Sequence, residues 1–212
     1  GQDKEAKETI DLIGRALVQL RDGKPARFTE RTEEEEKAFR GLNLLTSKPV
    51  LYVCNVEEES AGTGNDFSKT VEARAAEEGA VAVVISAKIE EELAQLDADE
   101  RTDYLEELGL AEAGLDRLIR AGYDLLHLIT YFTCGPKETR AWTITEGTLA
   151  PAAAGVIHTD FEAGFIRAET IAYDDYVSLG GETPAKDAGK MRLEGKEYLV
   201  ADGDVMHFRF NN

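Results

Sequence analysis

The chain has 212 residues, 42% of them hydrophobic and 31% charged, with 42 acids against 24 bases and a net charge of −18. That composition belongs to a globular chain able to bury a sizeable core, and its acidity excludes a whole-surface binder of nucleic acid or membrane, though not a local basic patch. The longest apolar runs, residues 49–54 and 80–85, are far too short to span a bilayer, so no membrane partner is expected. The start, Gly1-Gln2-Asp3-Lys4-Glu5, is polar and lacks an initiating Met; it reads as no secretory leader, and as either a trimmed start or a piece of a longer chain. Cys54 and Cys134 are too far apart for a metal or redox spacing, and suit a reducing cytoplasm.

Ala6, Ile10, Ile13, Leu17 and Leu20 fall at helical spacing and predict a first helix with that apolar face, stopping at Asp22-Gly23 before Pro25. Thr32-Glu33-Glu34-Glu35 fits a capping box, and Ala38, Phe39, Leu42 and Leu45 follow as the apolar face of a second helix. The glutamate run reads as a solvated first turn that complements the helix dipole. At Lys48-Pro49 the period changes. Residues 50–54 and 80–85 are short β-branched runs, apolar on both faces like strands inside a parallel sheet. With a helix over 68–78 between them they predict a right-handed βαβ unit. Amphipathic stretches follow at 89–96, 100–108 and 112–126.

From residue 128 the texture changes again. Strands are predicted at 128–133, 139–145, 164–171, 196–200 and 205–210, and helices at 151–158, 174–179 and 185–190. The expected fold class is α/β followed by a small α+β domain of residues 128–212.

In an open parallel sheet, ligands bind beyond the carboxyl ends of the strands. Both predicted strands end in polar loops, Asn55-Val56-Glu57-Glu58 and Ser86-Ala87-Lys88. Two such loops would wall a pocket for a flat polar ring, with Asn and Glu reaching a base edge and the Lys88 stem lying along the ring. On spacing alone, ordinary turns remain the alternative.

These residues also carry a resemblance. Asn55-Val56-Glu57-Glu58 resembles an altered Asn-Lys-x-Asp base-reading motif of P-loop GTPases, and Ser86-Ala87-Lys88 matches their Ser-Ala-Lys motif. The stretches 44–56, 135–143, 157–169 and 202–211 are similar to the YchF/Obg-like ATPase family; the most specific is Ile157-His158-Thr159-Asp160-Phe161-Glu162-Ala163-Gly164-Phe165 and onward. The resemblance covers essentially the whole chain. It implies a helical coiled-coil segment (residues 1–48, the returning part of an insertion), the closing part of a Ras-like nucleotide domain (49–127) and a β-grasp, ubiquitin-like TGS domain (128–212).

It further implies ATP in preference to GTP, because Val56 and Glu58 stand where the lysine and aspartate that read guanine would be. Asn55 would position the loop and touch the base, and Val56 would offer a backbone contact and an apolar wall. Ser86, Ala87 and Lys88 complete the nucleotide-binding set. No Gly-x-x-x-x-Gly-Lys-Ser/Thr occurs, and Gly62-Thr63-Gly64 lacks the following lysine, so no catalytic residue is assigned in this chain and Mg2+ is expected only in the full-length protein. The resemblance also implies a cytoplasmic protein whose partner is the ribosome, as the large subunit or 70S particle. A sheet lacking its earlier strands would favour self-association. The other reading kept open is a non-enzymatic helical-plus-TGS module that docks to ribosome or protein partners.

Residues 128–212 hold 8 basic and 13 acidic residues, yet Lys186, Lys190, Arg192 and Lys196 cluster and form the candidate RNA or ribosome contact; a solvated helix and turn is the competing reading. No metal site is assigned. His158, Asp160 and Glu162 read as local caps at a helix end, His127 and His207 as packing or surface residues, Trp142 as core and Cys54 as inert packing.

Overall fold

The computed structural model describes residues 2–211, and the side chains of 4–211. The chain divides into two compact units after Ala121, where the sequence reading drew a boundary at 127 and a further one at 48.

The first unit opens with α1 (Gln2–Arg21) and α2 (Glu33–Gly41). Glu35 accepts the backbone N–H of Thr32 at 2.9 Å, closing the capping box. The two helices meet through Leu12, Ala16 and Phe39, with Leu42 and Leu44 packed around them. This corrects the expected face of α1: Ile10 is 68% and Leu17 41% exposed, and Ile13 and Leu20 are also exposed. The buried stripe is the neighbouring one, where small Ala16 lets α2 approach and Arg15 bridges to Glu35 and Asp11.

β1 (Leu51–Asn55) and β2 (Val81–Ile85) are parallel neighbours in the register Leu51↔Val81 to Asn55↔Ile85, joined by α3 (Asp66–Glu78). Asn65 caps α3 by accepting from the Ser68 N–H at 2.9 Å, and Gly79 ends it at φ +63°, a left-handed conformation that glycine adopts at no steric cost. α4 (Ala87–Leu93), α5 (Ala98–Glu107) and α6 (Gly114–Leu125) follow, with Ala61, Ile89 and Leu93 buried against Tyr104, Leu105 and Leu110.

One polar knot ties the helical start of this unit to its sheet. The Glu78 carboxylate, 8% exposed, accepts from Arg27 at 2.5 Å, from Arg74 at 2.6 Å and from the Tyr52 hydroxyl at 3.0 Å. Burial works to raise its pKa, but these donors together hold it below the usual carboxylate value. A carboxyl depressed by folding gives its full stabilisation above its unfolded value, about pH 4.3, and loses it as pH falls through the folded value. Glu78→Gln should therefore lower the melting temperature at pH 7 and flatten its decline between roughly pH 5 and pH 3. Thermal melts followed by circular dichroism across that range check both; an unchanged slope would show that other carboxylates govern acid unfolding.

The second unit is built on β3 (Leu128–Cys134), β4 (Thr139–Thr145), β5 (Phe165–Ala172), β6 (Arg192–Glu194) and β7 (Asp204–Phe210), in the sheet order β4-β3-β7-β5-β6. β3 and β7 run parallel at the centre and the other pairs are antiparallel. α7 (Ala150–Ile157) contributes Ala150, Ala153 and Ala154 to a core with Tyr131, Ile144, Ala168, Met206 and Phe208. Three small residues on α7 let it sit close to the sheet, and the Tyr131 hydroxyl donates to the Ala153 carbonyl at 2.9 Å. α8 (Thr159–Ala163), α9 (Tyr173–Leu179) and α10 (Glu182–Asp187) are short.

Residues 196–200 are not the strand expected. Besides a local turn bond from the Tyr198 N–H to the Gly195 carbonyl, their backbone bonds go to the 148–150 segment, from the Val200 N–H to the Thr148 carbonyl and from the Ala150 N–H to the Tyr198 carbonyl, as an isolated bridge. The edge strand is instead Arg192–Glu194, which pairs with β5.

Candidate functional site

The parallel register puts the carboxyl ends of β1 and β2 side by side, so the Asn55–Glu58 and Ser86–Lys88 loops leave the same edge. Asn55, the exposed last residue of β1, accepts the backbone N–H of Ala87 on its Oδ1 at 2.9 Å, tying one loop to the other. Val56 is buried, and its N–H donates to the Ile85 carbonyl at 2.9 Å. That N–H is spent on the sheet, so any backbone contact Val56 makes to a ligand must come from its carbonyl.

Glu58 opens a short turn, and its carboxylate is paired with the Lys88 ammonium across the two loops. The pairing and hydrogen bond to Glu58 raise the Lys88 pKa above its ordinary value. Lys88 is mostly exposed, with Glu92 and the Tyr104 hydroxyl bonded to each other nearby. Ser86 is buried, and its hydroxyl has no hydrogen-bond partner among the described residues. Glu57 is turned the other way, toward the α3 cap, where it accepts from the Ser60 hydroxyl at 2.6 Å and Asn65 Nδ2 at 3.1 Å.

Gly62-Thr63-Gly64 lines a different cavity, of about 330 Å3, with Glu72 and Arg117. Gly64 sits at φ +69°, and a side chain there would collide with the Ser68 hydroxyl that stabilises the α3 cap. This loop is therefore shaped by helix capping. Cys54 is half-buried on β1, and burial, then the charge of Glu72, pushes its thiol pKa up, away from reactivity.

In the second unit the four basic candidates are not alike. Lys190 pairs with Asp175 at 3.1 Å. Arg192 pairs with Asp204 at 3.1 Å and Glu194 at 3.6 Å, and also donates to the Tyr198 hydroxyl at 3.0 Å. Asp204 is buried and accepts as well from that hydroxyl at 2.7 Å and from the Ala201 N–H at 3.0 Å. Burial, then Asp204, pushes the Tyr198 hydroxyl up to about 12, so it stays a donor. Arg192 is thus a fold-holding group first. Lys186 and Lys196 are exposed, one in the last turn of α10 and one in the turn after β6. His158 Nδ1 accepts the Asp160 N–H at 3.2 Å and so caps α8. Trp142 packs against the core and donates to Thr133 Oγ1 at 2.9 Å.

Comparison with known proteins adds to this geometry. Residues 128–211 match the family described as YchF-GTPase_C, protein of unknown function (DUF933). The chain is 52% identical over 212 residues to the Ribosome-binding ATPase YchF of Bacillus subtilis (strain 168), covering 99% of this chain and 58% of that protein. It is 39% identical over 211 residues to Obg-like ATPase 1 of Oryza sativa subsp. japonica, covering 99% and 53%. The solved Schizosaccharomyces pombe YchF GTPase superposes with a TM-score of 0.82 at 34% identity, over 97% of this chain and 55% of that one. The chain thus spans just over half the length of the relatives it matches. No helix among the described residues is long and apolar enough to cross a membrane.

Proposed function

The chain belongs to the YchF/Obg-like family, corresponding to its C-terminal part, and on that premise we propose that it supplies the base-reading edge of a purine-nucleotide site together with a β-grasp (TGS) domain that faces the ribosome. The larger protein is then an ATP-preferring, ribosome-associated NTPase of the cytoplasm, with residues 1–48 as its helical segment, 49–127 as the closing part of the nucleotide domain and 128–212 as the TGS domain. The observation that carries the nucleotide reading is the Asn55–Ala87 hydrogen bond, which holds the two loops at one spacing before any ligand arrives.

The preference for adenine follows from what faces the base. Guanine offers two adjacent donors on its Watson–Crick edge, which a free carboxylate at fixed reach accepts. Here the Glu58 carboxylate is occupied by Lys88, and Val56 has no ammonium to stack on the ring. Asn55 and the Val56 carbonyl remain for the adenine amine. Phosphate handling and Mg2+ belong to groups outside these 212 residues. Among the described residues β1 pairs only with β2, and such an open edge favours self-association of the isolated chain. For the ribosome, the mixed sheet with parallel central strands and a helix laid across it supports a β-grasp reading, and Lys186 and Lys196 are the contacts best free to meet phosphate.

The test joins the part of Bacillus subtilis YchF that precedes the matched region to this chain and measures hydrolysis of ATP and GTP. ATP should be preferred, and Glu58→Asp with Val56→Lys should shift the ratio of kcat/KM values toward GTP by roughly 10-fold or more. A parent chimera that prefers GTP, or a ratio unmoved by the double substitution, would overturn the assignment of these loops. Ribosome co-sedimentation of this chain without nucleotide, abolished by Lys186→Ala with Lys196→Ala, would favour the docking-module reading of its C-terminal unit.

A further inference from the structure

On the sheet face away from α7, three metal-ligating side chains from three elements converge. Glu169 of β5 and His207 of β7 are register partners, so their side chains leave the same face next to each other. Glu182, first residue of α10, reaches the same spot. One ligand atom of each lies within 4.8 Å of those of the other two. They line a small, partly open cavity of about 10 Å3 with Cys134, Tyr176 and Met191, room for about one water or one ion.

We propose that Glu169, Glu182 and His207 form a divalent transition-metal site, with Zn2+ as its natural class of occupant. An imidazole and two carboxylates are a donor set for Zn2+, bound at about 2.0–2.2 Å. Ligand atoms around such an ion lie roughly 3–3.5 Å apart, so the triad closes by small rotations of Glu182 and His207, both exposed. Glu169 need not move. It is 13% exposed and already oriented by Arg209 at 2.9 Å and Arg167 at 3.6 Å, as outer partners orient a ligating carboxylate. The same arginines, Arg209 most strongly, lower its carboxyl pKa against the opposing effect of burial. They also offset part of the negative field, so the affinity expected is on the order of micromolar, weaker than a closed cysteine site. The site is independent of the nucleotide reading, because no residue is shared.

The experiment titrates Zn2+ into the metal-stripped 212-residue chain by calorimetry and follows the imidazole resonances by NMR. One equivalent should bind and shift the His207 ring signals, while those of His127 and His158 stay in place. His207→Ala and Glu182→Gln should each weaken binding at least 10-fold, and Cys54→Ser with Cys134→Ser should leave it intact. Glu182 is an exposed residue at a helix start, so its variant carries the test even if the strand substitution disturbs folding. No binding below millimolar Zn2+, binding indifferent to Glu182→Gln, or binding lost with the cysteines would each overturn the assignment.

Discussion

Gly164→Ala is expected to lower the melting temperature of the C-terminal unit by roughly 5–20 °C, from a cost of about 1–3 kcal/mol for an overpacked site in a domain of this size. A Cβ built at Gly164 collides with the backbone carbonyl oxygen of Asn211 and lies 3.2 Å from that residue's carbonyl carbon and nitrogen. A flexible side chain would step aside, but a backbone carbonyl moves only with its strand. The Asn211 N–H donates to the Gly164 carbonyl at 2.9 Å, and the next pair in the ladder is Phe165↔Phe210. Relieving the clash therefore pulls Phe210 from its stack on Phe161, where the centroids are 3.9 Å apart, and loosens the end of β7 against β5. The effect is specific to close approach, since Gly164 has no positive φ. Gly195, which has open space around its Cβ position and no positive φ, is the control, and Gly195→Ala should leave the melt unchanged. The chain holds one tryptophan, Trp142 of β4, so its fluorescence reports this unit's melting by itself. Equal melts for the parent and Gly164→Ala would show that the β7 end accommodates a methyl group.

What the sequence made legible divides by whether a residue's partner is local. β1 and β2 were readable because β-branched apolar runs bounded by polar loops have few alternatives, and the parallel crossover then put both loops on one edge. The strand-end position of Asn55 was readable for the same reason, while its bond to Ala87, 32 residues on, needed coordinates. The face of α1 was not readable. Its residues offer two adjacent apolar stripes, and the pattern cannot say that α2 covers Leu12 and Ala16 rather than Ile13 and Leu17. Arg192 looked like one of four exposed bases, because nothing in its neighbourhood announces Asp204, whose burial makes it a partner. Residues 196–200 alternate like a strand, but their neighbours place only a single bridge within reach. The Glu169, Glu182 and His207 triad was invisible because strand register alone brings two of its members together.

The purified chain is expected to release no phosphate from ATP above background, with magnesium present. Cleaving a phosphoanhydride requires donors and cations aimed at the charge that develops on the transferred phosphoryl group. The groups that do this in P-loop enzymes are a glycine-rich loop, its lysine and a hydroxyl on the metal, and residues 1–212 contain no such motif. In the nucleotide site proposed above, Asn55, the Val56 carbonyl and the Ser86–Lys88 loop would face the base, several bonds away from the reacting phosphorus. Contacts of that kind stabilise bound substrate and transition state equally, so they lower a dissociation constant without lowering the chemical barrier. Lys88 would not substitute for the missing lysine, because its ammonium is engaged by Glu58 and, in the proposed site, would lie at the base end. Steady-state phosphate release should therefore match buffer for the chain alone, while the chimera with the preceding part of the Bacillus subtilis relative turns over. Asn55→Ala in that chimera should raise KM for ATP more than it lowers kcat, the signature of uniform binding lost at a distance from the chemistry. Turnover by the isolated chain comparable to the chimera, persisting after repurification, would mean that its own residues handle phosphate and that the base-edge assignment is wrong.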